Sequence, residues 1–134
     1  TVFDFMNKII VEVSIGELLD KITILEIKQE KIKDPEKLKF ISNEHSILKD
    51  QLNNNIKTDD KLNKLFQSLK DINSKLWVIE DDKRQCEKDK DFGEKFIKLS
   101  RDVHFLNDDR AKIKLEINNH TGSVIKEIKE YTNY

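Results

Sequence analysis

Apolar and polar positions alternate from Ile9 to Val13, with Ile9, Val11 and Val13 on one face and Ile10 and Glu12 on the other. That spacing predicts a short β-strand. A lone strand cannot stand, so it needs a partner from the tail or from another chain. The period then changes to helical. Ser14 and Glu17 form an S-x-x-E capping box, and Val13 and Leu18 are placed as a hydrophobic staple. Ile15, Leu18, Leu19, Ile22, Leu25 and Ile32 mark one side of the first helix, while Ile24 and Ile27 fall on the opposite side. A helix apolar on two sides is buried on two sides. It is therefore expected at the centre of the fold or in a subunit interface.

Asp34-Pro35 ends the first helix and opens the second as N-cap and first helical residue. Leu38, Ile41, His45, Leu48 and Leu52 follow a helical seam to about Asn54. His45 reads as a histidine tolerated in that seam. Thr58, Asp59 or Asp60 caps a third helix running to about Lys88. Its seam is Leu62, Leu65, Leu69, Ile72, Leu76, Ile79, Lys83 and Cys86. Such spacing over more than three heptads is a coiled-coil-type signal. A fourth helix carries Phe96, Leu99, Val103, Leu106, Arg110, Ile113 and Ile117, and Gly122 suits a left-handed C-cap. Ser123 is placed to cap a short final helix bearing Val124, Ile125, Ile128 and Tyr131.

These elements define one all-α domain of antiparallel helical hairpins. Residues 1–8 are a flexible or non-native start, with Met6 a candidate natural initiator. Residues 9–57 form the strand and first hairpin, 58–121 the second, longer hairpin, and 122–134 the short C-terminal helix. Short turns force antiparallel neighbours. The hairpins either close into a bundle or are completed by a second subunit. The apolar fraction, 37%, is low for helices this long in a monomer, which points to a homodimer.

Composition narrows the function. No apolar run approaches a membrane span, and no secretory leader is evident, so a cytoplasmic location is expected. A single cysteine excludes an internal disulfide and a cysteine-rich zinc site. Lys+Arg, 25, nearly cancels Asp+Glu, 26, which leaves no basic excess for nucleic acid. Only three of the 25 cations are arginines: Arg84, Arg101 and Arg110. In a chain where Lys is the default, an Arg can mark a need for the guanidinium fork.

The seam turns polar in two places. Glu80, Lys83 and Glu87, with Arg84 beside them, replace the apolar stripe of the third helix. Asn107, Arg110 and Lys114 replace that of the fourth, with Asn118 at the edge. Folding the hairpin about Asp89–Asp91 places Glu80 near Arg101 and Asn73 near Asp108. Arg110 and Lys114 are left without an obvious counter-charge in the hairpin. The candidates are Glu17, Asp20, Glu26, Asp108, Asp109, another chain or a bound anion. Long stems reaching water, or a polar layer that sets register, explain the same residues structurally. The functional alternative is an anion pocket lined by Arg110, Lys114, Asn107, Glu80, Arg84 and Arg101. Ile24, Ile27, Trp77 and Phe105 lie off the main stripes and are the expected interface residues.

Other chemistry is sparse. Glu80-Asp81-Asp82 point in different directions from one helix and cannot share a cation, so no metal site is expected. Glu17-Leu18-Leu19-Asp20 has the spacing of helical magnesium-dependent nucleotide hydrolases but lacks a second acidic motif. Cys86 has no catalytic constellation around it. No catalytic residue and no cofactor is expected.

The run V-S-I-G-E-L-L-D-K-I-T-I-L-E-I-K (13–28) resembles the opening of an uncharacterised bacterial family, a domain of unknown function. L-W-V-I-E-D-D-K-R (76–84), D-F-G (91–93), N-D-D-R-A-K-I-K-L-E-I-N (107–118) and the G-S…K-E…Y tail extend the resemblance over about residues 10–131. The chain departs from the family pattern at Lys83 and His104. The resemblance implies a small, mostly helical cytoplasmic protein and assigns no activity. The leading expectation is a non-enzymatic interaction or scaffolding module. It would dock a partner on Ile24 and Ile27 or at the polar end of the long hairpin. The alternative is an anion-binding protein or enzyme.

Overall fold

The computed structural model describes residues 7–134, and its elements are α1 (Ile15–Lys31), α2 (Pro35–Asn55), α3 (Asp60–Asp89) and α4 (Glu94–Thr121). Each boundary has a local cause. Ser14 accepts from the Glu17 N–H at 3.0 Å, Asp34 from Glu36 at 3.1 Å and Asp59 from Leu62 at 2.8 Å. These caps satisfy amide donors that the first helical turn leaves unpaired. At the other ends Lys90 and Gly122 adopt left-handed backbone, with φ of 54° and 68°. A non-glycine residue pays for that geometry, and at Lys90 two bonds offset the strain: its own N–H reaches Glu87 and the next N–H reaches Cys86.

α3 and α4, with 30 and 28 residues, form an antiparallel hairpin about 42–45 Å long. Near the turn the Lys83 ammonium lies over the Phe96 ring at 5.8 Å. Towards the open end Asn73 accepts from Arg110 at 3.4 Å. Asn73 thus meets Arg110 rather than Asp108, and with Lys83 over Phe96 the two contacts fall on either side of the simple fold-back register. Arg101 faces no acid: its guanidinium sits 5.9 Å above Phe105, and Glu80 is not its partner.

α1 is the hub. It packs against α2, α3 and α4, whereas the backbone of α2 approaches α1 alone among the helices. Of the two places that its two-sided apolar pattern allowed, the centre of the fold and an interface, α1 takes the centre. Its inner residues Leu19 and Ile22 join Leu52 of α2, Leu62 and Leu69 of α3 and Ile117 of α4 in one buried cluster. Ile27, on its second apolar side, is also buried within the chain. The packing is that of a helical bundle. None of the described helices is long and apolar enough to cross a membrane.

Two expected elements are corrected. Residues 9–13 make no strand, and Ile9, Ile10 and Val11 are exposed. No extended segment among the described residues lies alongside to complete a ladder, and an unpaired strand has no hydrogen bonds to hold it. The C-terminal helix is absent as well. After Gly122 the chain runs irregularly to Tyr134. The Ser123 hydroxyl that would cap it instead accepts from the Ile15 N–H at 3.1 Å and donates to the Ile125 carbonyl at 2.8 Å. Val124, Ile128 and Tyr131 stay exposed, so nothing offsets the cost of nucleating so short a helix. Of the expected flexible start, residues 1–6 lie outside the described residues.

Candidate functional site

The polar seam builds two adjoining networks where α1 crosses the long hairpin. The first is centred on Lys114 of α4, whose side chain is only 11% exposed. Its ammonium donates to Glu17 of α1 at 2.6 Å and reaches Glu127 of the tail at 3.5 Å. Partial burial works to raise the Glu17 carboxyl, but hydrogen bonds and charge, chiefly from Lys114, hold it below its ordinary 4.5. Burial likewise works to depress the Lys114 ammonium, and Glu17, Asp20 and Glu127 lift it above its ordinary value. Lys114 is therefore neutralised within the chain by Glu17, one of the acids that its sequence position suggested, and by Glu127, which it did not suggest.

The sign of the pH dependence follows. A carboxyl lowered on folding stabilises the fold above its unfolded value and loses that contribution as pH falls through the lower folded value. The raised ammonium contributes below its unfolded value and loses this only as pH rises through the higher folded one. Stability carried by Glu17 and Lys114 is therefore expected to be constant near neutrality and to drain away in acid, below about pH 4.5. Urea unfolding of the wild type and of Lys114→Met checks this. Their difference should shrink between about pH 6 and about pH 3.

The second network is more deeply buried. The Asn73 amide donates to Asp20 at 2.8 Å and to the Thr23 hydroxyl at 2.8 Å, and the Thr23 hydroxyl donates to the Asp20 carbonyl at 2.7 Å. Asn73 thus spends both N–H donors on α1 and offers its oxygen to Arg110. Among the described residues every deeply buried side-chain polar atom has a partner. Arg110 differs from Lys114 in one respect. No carboxylate among the described residues lies within 4 Å of Arg110, Arg84 or Arg101.

Arg110 closes one end of a groove of about 390 Å³ between α1 and α3. Its walls include Ile24, Ile27, Leu76 and Trp77, with Glu80, Asp81 and Arg84 further along α3. The structure therefore merges two sets of residues that the sequence kept apart. Ile24, Ile27 and Trp77, expected at an interface, line the same groove as Glu80, Arg84 and Arg110, expected at a ligand. Lys114 is excluded from it by its acids. Arg101 and Phe105 lie on another face. Asn107 is half-buried on α4 and does not line this groove.

A wider, shallower groove of about 640 Å³ separates α3 from α4 on that other face, lined by Ser74, Lys75, Val78, Ile79, Asp102, Phe105 and Leu106. Tyr134 of the tail stacks edge-on against Phe105 and His104 and hydrogen-bonds Asp108.

Sequence reasoning missed the close approach of α1 to α4 at Gly16. The Gly16 N–H donates to the Asn118 side-chain oxygen at 2.7 Å, and a Cβ at Gly16 would lie 2.6 Å from the Lys114 carbonyl oxygen. A glycine in the first turn of a helix, where it costs stability relative to alanine, was the available signal. Three reactive side chains lie elsewhere or are already engaged. His45 pairs with Glu26 at 3.1 Å, His120 with Asp59 at 2.8 Å, and Cys86 is buried. No group of three or more His, Cys, Asp or Glu among the described residues is placed to hold a metal ion.

Fold and grooves together define an all-α helical-bundle protein of unknown function. A family model described as a family of unknown function (DUF6165) matches residues 9–134, and the chain belongs to that family. No curated protein and no solved structure matches it.

Proposed function

We propose that the protein is a non-enzymatic helical interaction module that pairs with a second copy of itself through the α3–α4 face. One observation supports this reading above others. Val78, Ile79, Phe105 and Leu106 form an apolar strip, edged at Phe105 by Tyr134, with a cation, Lys75, on the α3 side and an anion, Asp102, on the α4 side. Val78 is 47% exposed and Phe105 37%. Contiguous exposed apolar surface between charged flanks is characteristic of association sites.

The charges suit self-association in particular. In a two-fold dimer each contact occurs twice with the roles exchanged. Asp102 is paired with the exposed Lys98 on its own helix at 2.8 Å, and an axis across the strip would add Lys75 of the other copy to that pair. A cytoplasmic site of action and a further protein partner remain part of this proposal.

Light scattering on the purified protein tests it. The expected mass is twice 15.9 kDa. Val78→Glu is expected to give monomers with unchanged helical circular dichroism, because Val78 contributes little to the chain's own core. Lys75→Glu sets like charges opposite each other and should weaken the dimer about tenfold. Adding Asp102→Lys to Lys75→Glu restores opposite charges and should recover it. A wild-type monomer at tens of micromolar, or a double exchange that recovers nothing, would overturn the proposal.

A further inference from the structure

We infer that the groove between α1 and α3 is a binding site for a small organic carboxylate: one anionic head at Arg110 and a flat apolar body along Trp77. It lies on a different face of α3 from the proposed dimer strip, so the two ideas stand or fall separately.

The head is specified by Arg110. A guanidinium has five N–H donors, and this one makes a single long contact, 3.4 Å, to Asn73. Both N–H donors of Asn73 go to Asp20 and Thr23, and only its oxygen faces Arg110. The remaining donors of Arg110 border a groove whose nearest walls are apolar, with no carboxylate within 4 Å among the described residues. A planar carboxylate matches that fork in a bidentate pair, and an apolar surround strengthens the pairing.

The body is specified by the walls. Trp77 presents a flat aromatic surface, and Ile24, Ile27 and Leu76 supply branched aliphatic contact. A volume of about 390 Å³ sits at the small end of ligand pockets, enough for one ring and a short arm.

The net charge is specified by the mouth. Along α3, Glu80 and Asp81 lie about 10–12 Å beyond Asn73, and both are exposed. Arg84 follows one turn later and lies on the same side. Two carboxylates at the mouth disfavour a second anionic group on the ligand. A monoanion is therefore favoured over nucleotides, sugar diphosphates and dicarboxylates.

Trp77 is the only tryptophan in the chain, so its emission reports on the groove wall directly. The probe is phenylacetate, with phenethyl alcohol as the uncharged counterpart. Phenylacetate should give a saturable change in Trp77 emission in the millimolar range or below, and the alcohol should bind about tenfold more weakly or not at all. Arg110→Met should cost phenylacetate about tenfold. Arg110→Lys keeps the charge and the stem, so it tests the fork even if the Met variant is poorly folded. It should cost severalfold. The exposed pair Glu80→Gln with Asp81→Asn should act in the opposite direction and tighten binding about threefold, at little risk to the fold. No saturable response to phenylacetate would overturn the inference. So would equal binding of the alcohol, or an affinity unmoved by Arg110→Lys and by the mouth variant.

Discussion

Gly16→Ala is expected to lower the melting temperature by about 10 °C, from about 2–3 kcal/mol of lost stability. The new Cβ would sit 2.6 Å from the Lys114 carbonyl oxygen and 3.0 Å from the Asn118 side-chain oxygen. The nearer atom is backbone, which cannot swing aside, so α1 must move off α4. That movement stretches the bond from Gly16 to Asn118 and the pair between Glu17 and Lys114, one residue along. Helix propensity works the other way, because alanine is favoured over glycine by up to about 1 kcal/mol inside a helix. Steric cost wins because a single rigid contact couples to two polar links. Gly122→Ala is the useful comparison. Its φ of 68° strains a side chain, yet nothing lies within 4 Å of the added Cβ. The expected cost there is about 1 kcal/mol. Differential scanning calorimetry on the two variants separates close packing from backbone strain, and equal losses would refute the contact argument at Gly16.

Lys114→Met is expected to cost about 2 kcal/mol near neutral pH. The methionine keeps most of the apolar stem, so lost packing is small. What remains is Glu17 without its 2.6 Å donor and Asp20 without a nearby positive charge, both against α1's crossing with α4. Removing one partner from a fully buried pair costs more, about 3–5 kcal/mol. The figure here is lower because the Glu17 side chain keeps 25% of its surface in water. Adding Glu17→Gln to Lys114→Met should recover about half the loss, since an amide tolerates the site without a counter-charge. Urea denaturation of the two single variants and the double variant gives the coupling energy. Additive losses would show that Lys114 acts without Glu17, through packing or through Asp20 and Glu127.

The candidate groove was half legible. The seam's change from Leu and Ile to Arg110 and Lys114 marked where polar chemistry sits, and Ile24 and Ile27 marked a second buried side of the first helix. Neither observation could show that these residues meet. Arg110 and Lys114 are one helical turn apart on α4 and looked equivalent. One proved to be consumed by Glu17, while the other was left with spare donors on a groove. The difference depends on which turn of α1 each residue faces, and that is a crossing angle, not a spacing. Asn73 passed as an ordinary polar residue among apolar neighbours on α3. Its role as the link between Asp20, Thr23 and Arg110 needed three helices in place.

The four helices, their caps at Ser14 and Asp34, and the break at Gly122 were determined by the sequence alone, which left the third cap among Thr58, Asp59 and Asp60 and the first helix either at the centre of the fold or in an interface. Those features rest on interactions within a few residues: side-chain oxygens reaching nearby amides, and apolar positions recurring every turn. The tertiary structure alone decided the loss of the expected strand at residues 9–13 and of the final helix after Gly122. Both depend on partners distant in the chain. A strand needs a second strand to complete its hydrogen bonds, and Ser123 was drawn to Ile15, 108 residues away, instead of capping a helix. The place of Asn73, serving α1 on one side and Arg110 on the other, was likewise decided in three dimensions.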